Sequence, residues 1–163
     1  MIRNATIEEL PALLEVYESA RAFMRAHGNP TQWSGGYPNR ALLKEDIALN
    51  RLYAVTDDAG EIHGAFMLLE EPDPTYAYIE GEGWRSDTPY GTLHRVASDG
   101  RRKGVFEEAV AFARTRHDHL RVDTFRDNIP MQNAIQKQGF VYRGVIYLEN
   151  GDPRMAYDWL KVR

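Results

Sequence analysis

The feature that most constrains this chain is the rhythm of its second half, where apolar residues change repeatedly from the spacing of a strand to that of a helix. Thr92–Val96 reads as extended, Arg102–Arg116 as helical, Leu120–Phe125 as extended, Ile129–Gln138 as helical, and Phe140–Leu148 and Arg154–Leu160 as extended. Strands alternating with helices predict crossover units, and a crossover joins strands that run parallel. The first half is organised differently. Thr6 and Glu9 have the spacing of a capping box, and Leu10, Leu13, Leu14, Tyr17, Ala20 and Met24 recur at helical intervals towards Gly28. Pro11 fits such a helix only near its start, since further in it would remove a backbone hydrogen bond. A short helix over Arg40–Asn50 precedes two extended runs, Leu52–Val55 and Ile62–Leu69, about the turn residues Asp57–Gly60. Asn29–Asn39 is a loop by composition, in which Trp33 and Tyr37 either line a pocket or pin the loop down. Glu70–Thr75 reads as a connection and Tyr76–Ile79 as extended. The class is α/β. A chain of 163 residues without repeats or a linker is expected to form a single domain over 1–163.

Composition excludes several chemistries. Without cysteine there is no disulfide, no thiolate metal site and no catalytic thiol. A net charge of −4 argues against a protein whose main task is neutralising a nucleic-acid backbone, so any anion site must be local. No apolar run approaches the roughly 18 residues of a membrane-spanning helix. The N-terminus lacks the apolar core and cleavage site of a signal peptide. The expectation is a soluble, cytoplasmic protein that binds neither nucleic acid nor membrane. His117, Asp118 and His119 resemble metal-ligand spacing only loosely, and no metal is expected.

The stretch that carries chemistry runs from the end of a predicted strand at Val96, Ala97 and Ser98, through Asp99 and Gly100, to Arg101, Arg102, Lys103, Gly104, Val105 and Phe106 at the start of a helix. Free N–H groups at a helix start, glycines that allow close approach and three adjacent basic residues favour a phosphate-rich ligand, and a solvated basic helix start is the plain alternative. A second block follows: Asn128 is a good N-cap, Pro130 suits a first helical turn, and Gly139 before Phe140 suits a helix stop.

The strand, the turn and the Arg101-x-x-Gly104 spacing resemble the pyrophosphate loop of the GNAT family of N-acetyltransferases, usually written Arg/Gln-x-x-Gly-x-Gly/Ala. Phe106 departs from that pattern at the last small position. In the family an asparagine opens the next helix and a Gly-Phe pair closes it, a spacing that Asn128, Gly139 and Phe140 reproduce. The resemblance implies a central mixed, twisted sheet flanked by about four helices. It also implies transfer of an acetyl group from acetyl-CoA to a primary amine of a small molecule or peptide, by direct attack in a ternary complex and without a metal. Coenzyme A would lie on residues 96–98 and 101–106 and on Asn128, with the Val96 backbone polarising the thioester carbonyl. A homodimer stays open.

The attacking amine must be neutral, so the site needs a proton acceptor. Tyr90, Thr92 and His94 share one face of their strand, from which the family often draws its base, and His94 is mostly neutral at pH 7. A histidine bonded within the sheet is the competing reading. Glu80 and Asp123 are the other candidate catalytic groups. Tyr78, Glu82, Trp84, Tyr90, Thr92 and Trp33 are the candidate acceptor contacts. Ile135 stands where many relatives carry a tyrosine that protonates the leaving thiolate, so a tyrosine restored there is expected to help turnover, and a coenzyme-binding sensor without efficient turnover is the rival function.

Overall fold

The Thr6 backbone N–H donates to the Glu9 carboxylate at 2.9 Å and closes a 3-10 turn over Ile7–Glu9. Helix α1 (Leu10–Ala26) follows directly, with Pro11 in its first turn where no helical bond is lost, and it buries Leu10, Leu13, Val16, Tyr17 and Ala20. Helix α2 (Arg40–Ala48) is capped by Asn39, whose side chain accepts the Leu42 N–H at 2.9 Å. The molecule is known from a computed structural model that describes residues 1–162. Among these residues a mixed sheet of eight strands accompanies four α-helices.

The chain forms two compact units. One comprises Met1–Leu68 with Arg95–Ala109, and the other comprises Leu69–His94 and the chain from Val110 onward. In the first unit, β1 (Ile2–Asn4), β2 (Leu52–Thr56) and β3 (Ile62–Leu69) pair antiparallel in that order, and β5 (Gly91–Ser98) comes next to β3. Its interior is built from the buried face of α1, Leu43, Leu52, Val55, Phe66 and Ala97, with the rings of Tyr53 and Phe66 stacked 5.3 Å apart. In the second unit the order continues from β5 to β6 (His119–Thr124), β8 (Pro153–Leu160), β7 (Val141–Tyr147) and the edge strand β4 (Glu80–Gly81). The pairing of β5 with β6 is parallel, as a crossover through α3 (Val105–Arg114) requires, whereas β8 runs antiparallel to both β6 and β7, and β4 runs antiparallel to β7. Helix α4 (Ile129–Lys137) takes its cap from Asn128, whose side chain accepts the Met131 N–H at 3.2 Å.

The structure differs from the sequence reading at three places. Strands β1 and β4 span three and two residues, too few to show an alternating pattern. Tyr76 ends a 3-10 turn over Pro74–Tyr76 instead of beginning a strand, because Asp73 accepts the Thr75 N–H at 2.9 Å and Pro74 fixes the first turn residue.

Candidate active site

The parallel ladder between β5 and β6 spans only Gly91↔Leu120 and Thr92↔Arg121. Just beyond it, His94 on β5 and Asp123 on β6 face each other, with His94 Nδ1 4.0 Å from Asp123 Oδ2. The other ring nitrogen, Nε2, lies 2.7 Å from Asp73 Oδ2. Burial pushes the Asp73 carboxyl up, but the hydrogen bond and charge of His94, with the hydroxyl and N–H of Thr75, outweigh it and hold Asp73 down at about 2. Asp73 is therefore an ionised acceptor at neutral pH. In the neutral imidazole Nε2 carries the proton, leaving the Nδ1 lone pair on the Asp123 side. Tyr76, wholly buried, donates its O–H to Asp123 at 2.6 Å, and burial together with that carboxylate pushes the phenol well above its usual range, so it stays a neutral donor.

Tyr90 and Trp84 hold this group in place. The Tyr90 hydroxyl accepts the Asp73 N–H at 2.9 Å, and the Trp84 indole N–H donates to the Tyr76 carbonyl at 2.9 Å. Arg121 lies between the two rings, with its guanidinium carbon 3.9 Å from the Tyr90 centroid and 4.2 Å from that of Trp84. Thr92 is fully buried and its hydroxyl has no partner among the described residues. Glu80 stands apart from the His94 group. It is exposed on β4 and accepts the Tyr78 O–H at 3.1 Å. Tyr78 is exposed, and Glu82 is an exposed partner of Arg143 at 3.3 Å. Asp73 and Tyr76 escape a reading of the sequence because Asp73-Pro74-Thr75 signals only a turn.

In the first unit, β5 runs into the basic loop through a kink. Arg95 adopts φ +51°, a conformation rare for a residue with a side chain, and the surroundings hold it there. The wholly buried Tyr17 donates its O–H to the Arg95 carbonyl at 2.7 Å. The Arg95 guanidinium reaches the wholly buried Asp46, which Arg51 also bonds, and the Tyr37 hydroxyl. Trp33 packs its ring 5.7 Å from Tyr17 and 6.4 Å from Tyr37, so these loop aromatics pin the segment; Trp33 also lines a groove of about 380 Å³ with Glu18, Arg21 and Met24. Asp46 gave no signal in the sequence, where it is one more charge on a short helix.

Beyond the kink, Gly100 donates its N–H to the Ser98 hydroxyl at 3.1 Å and Arg101 its N–H to the Asp99 carboxylate at 2.9 Å. From Arg102 to Glu107, by contrast, the backbone N–H groups have no acceptor among the described residues. They open α3, whose dipole adds to the attraction for an anion. The side chains are largely committed elsewhere. Arg101 bonds Asp99 and Glu61, and Arg102 bonds the Thr56 carbonyl at 2.6 Å and Glu108 at 2.8 Å, while Lys103 is exposed with no partner among the described residues. Val105 is buried against β3, where a side chain on Gly64 would come within 2.6 Å of it. Phe106 is half-buried, and Asn128 is buried at the start of α4. The donors fit a pyrophosphate: a run of unpaired N–H groups with Gly104 in the left-handed region (φ +83°), where an added β-carbon would meet nothing closer than Glu107 Oε2 at 3.9 Å.

Ile135 is 1% exposed. A tyrosine there meets a filled interior, so the expectation that it restores a proton donor gives way to one of overpacking. Ile135→Tyr should cost about 1–3 kcal/mol of stability, read as a lower melting temperature, with no gain in turnover.

No family model matches the chain. The Escherichia coli K12 protein named peptidyl-lysine N-acetyltransferase YiaC is 24% identical over 140 residues, which covers 86% of this chain and 82% of that protein. A GNAT-family acetyltransferase from Streptococcus agalactiae superposes with a TM-score of 0.88 at 26% identity, over 100% of this chain and 96% of its own. One from Listeria monocytogenes shares the fold at a TM-score of 0.70 and 17% identity, over 98% and 94% of the two chains. Loop, fold and relatives together define an acetyltransferase. In fold and sequence the chain is similar to GNAT-family N-acetyltransferases.

Proposed function

We propose that the chain transfers an acetyl group from acetyl-CoA to a primary amine of a small molecule or peptide by direct attack, the whole chain acting as one domain. The observation that carries this reading is the run of unpaired N–H groups from Arg102 to Glu107, a cradle for the coenzyme pyrophosphate. The coenzyme supplies an activated acyl thioester. The Val96 backbone N–H polarises its carbonyl, and Asn128 contributes a further coenzyme contact from the start of α4. His94 Nδ1 takes the proton that the ammonium must lose before it attacks, while Asp73 holds Nε2–H and steadies the imidazolium that results. Asp123, bonded by Tyr76, faces the ring from the other side. The name of the Escherichia coli relative favours a lysine side chain in a peptide as the acceptor. Acetyl-CoA is a cytoplasmic metabolite, and the described residues include no helix long and apolar enough to cross a membrane.

Incubation with acetyl-CoA and a panel of lysine peptides and small amines tests the reading. Thiol release that requires an amine, matched by acetylated product, is the expected result. Tight coenzyme binding with no release across the panel would favour the sensor, for which the buried Ile135 in place of a proton donor is the supporting observation.

A further inference from the structure

We propose that His63 is a positioning residue for the coenzyme loop: as an imidazolium held between Asp57 and Asp99 it fixes the turn before the free N–H run, and coenzyme affinity falls when it loses its proton. The inference rests on the reading of Arg102–Glu107 as the pyrophosphate site. His63 lies on β3 and is buried, with Nδ1 3.0 Å from Asp99 Oδ2 and Nε2 2.9 Å from Asp57 Oδ2. An ionised carboxylate only accepts, so both bonds require a proton on each nitrogen, and a neutral ring satisfies one of them.

Each partner anchors a separate segment. Asp57 belongs to the turn between β2 and β3, where its other oxygen accepts the N–H groups of Ala59 and Glu61 at 2.9 Å each. Asp99 begins the loop, donating its own N–H to the His63 carbonyl at 3.0 Å and accepting the Arg101 N–H at 2.9 Å. Arg101 spans from Asp99 to Glu61, at 2.8 and 2.9 Å. The charged groups facing His63 are thus Asp57 and Glu61 from the turn and Asp99 and Arg101 from the loop. The hydrogen bonds of Asp57 and Asp99 raise the imidazole above its ordinary value, against burial and the nearby Arg101. A raised histidine keeps the clamp fully formed below its ordinary value and loses it as pH climbs through the raised one. Above that point Arg101 alone offsets three carboxylates beside a site meant for a polyanion. The loop therefore favours lower pH while the attacking amine favours higher, and the alkaline limit of the enzyme belongs to coenzyme affinity.

Calorimetric dissociation constants for coenzyme A, measured from pH 6 to 9 on the wild type, His63→Gln and Asp57→Asn, decide the matter. Coenzyme A and the remaining protein groups titrate alike in all three, so the ratio of variant to wild-type affinity is the readout. His63→Gln should bind roughly tenfold more weakly at pH 6 and converge on the wild type by pH 9. Asp57→Asn should keep the bond to Asp99 but move the alkaline loss to lower pH, and it decides the question alone should His63→Gln not fold. Ratios independent of pH overturn the inference and leave the coenzyme reading intact, whereas a wild type that binds no coenzyme at any pH overturns that reading and the inference with it.

Discussion

His94→Ala is expected to lower turnover at neutral pH by roughly a hundred- to ten-thousand-fold, the usual contribution of a general base, with coenzyme A affinity unchanged. The acceptor is protonated at pH 7, since an alkylammonium of the lysine type has a pKa of about 10, and direct attack requires the neutral amine. His94 is fitted to take that proton because its two nitrogens are differentiated. Nε2 is spent on Asp73 at 2.7 Å, and Nδ1 stands 4.0 Å from a second carboxylate with no closer polar partner among the described residues. Both carboxylates stabilise the cation that forms. Removing the imidazole should therefore hurt least where solvent already deprotonates the amine, so the deficit should shrink as pH rises. Asp73→Asn provides the conservative control, because it can keep a hydrogen bond to the ring while discarding the charge, and its turnover should fall between the wild type and His94→Ala. Glu80→Gln should matter less than either, since Glu80 serves Tyr78 on an exposed edge. Wild-type turnover by His94→Ala across the pH range would reduce His94 to a packed strand residue and pass the role to Asp123 or to a water chain.

The pieces of this site were legible in the sequence to different degrees, for reasons that can be stated residue by residue. The candidate coenzyme loop is legible because its determinants are consecutive: a strand end, Gly104, and a helix whose buried Ala109, Val110 and Ala113 recur at helical spacing. His94 and Asp123 could be named because alternation along a strand fixes which side chains share a face. Asp73 could not, since it lies far from His94 in the sequence and its local pattern, Asp-Pro-Thr, specifies a turn whatever its carboxylate meets next. The same holds for Asp46, which meets Arg51 and Arg95 only in the folded chain. The sequence offers Tyr90 as an acceptor contact because it shares a strand face with His94, and Trp84 because it lies beside Glu80 and Glu82. The folded chain brings them against Asp73, Tyr76 and Arg121, contacts that no local pattern announces. Sequence proximity thus points to the candidate binding loop, whereas the candidate proton-transfer group depends on contacts between distant segments.

Gly104→Val is expected to weaken coenzyme A binding by at least about tenfold, more than Arg102→Ala does. Gly104 sits at φ +83°, and a β-carbon added there would meet nothing closer than Glu107 Oε2 at 3.9 Å, so the cost of valine is conformational and not a clash. A β-branched residue in the left-handed region costs on the order of 1–3 kcal/mol, and the chain can escape that cost only by turning the peptide planes on either side of residue 104. Those planes carry N–H groups in the middle of the free run from Arg102 to Glu107, so relief of strain and loss of aim are one event. Arg102→Ala leaves the backbone path alone. It removes bonds to the Thr56 carbonyl and to Glu108, and with them one positive charge that solvent partly screens. Gly100→Val separates the two effects, because Gly100 has a nearly identical φ of +80° and equally open surroundings, yet its N–H is already given to Ser98. It should carry similar strain and cost less affinity. Titration calorimetry on the three variants ranks them directly. An Arg102→Ala loss larger than that of Gly104→Val would put the pyrophosphate on side chains and remove the backbone cradle as its binding site.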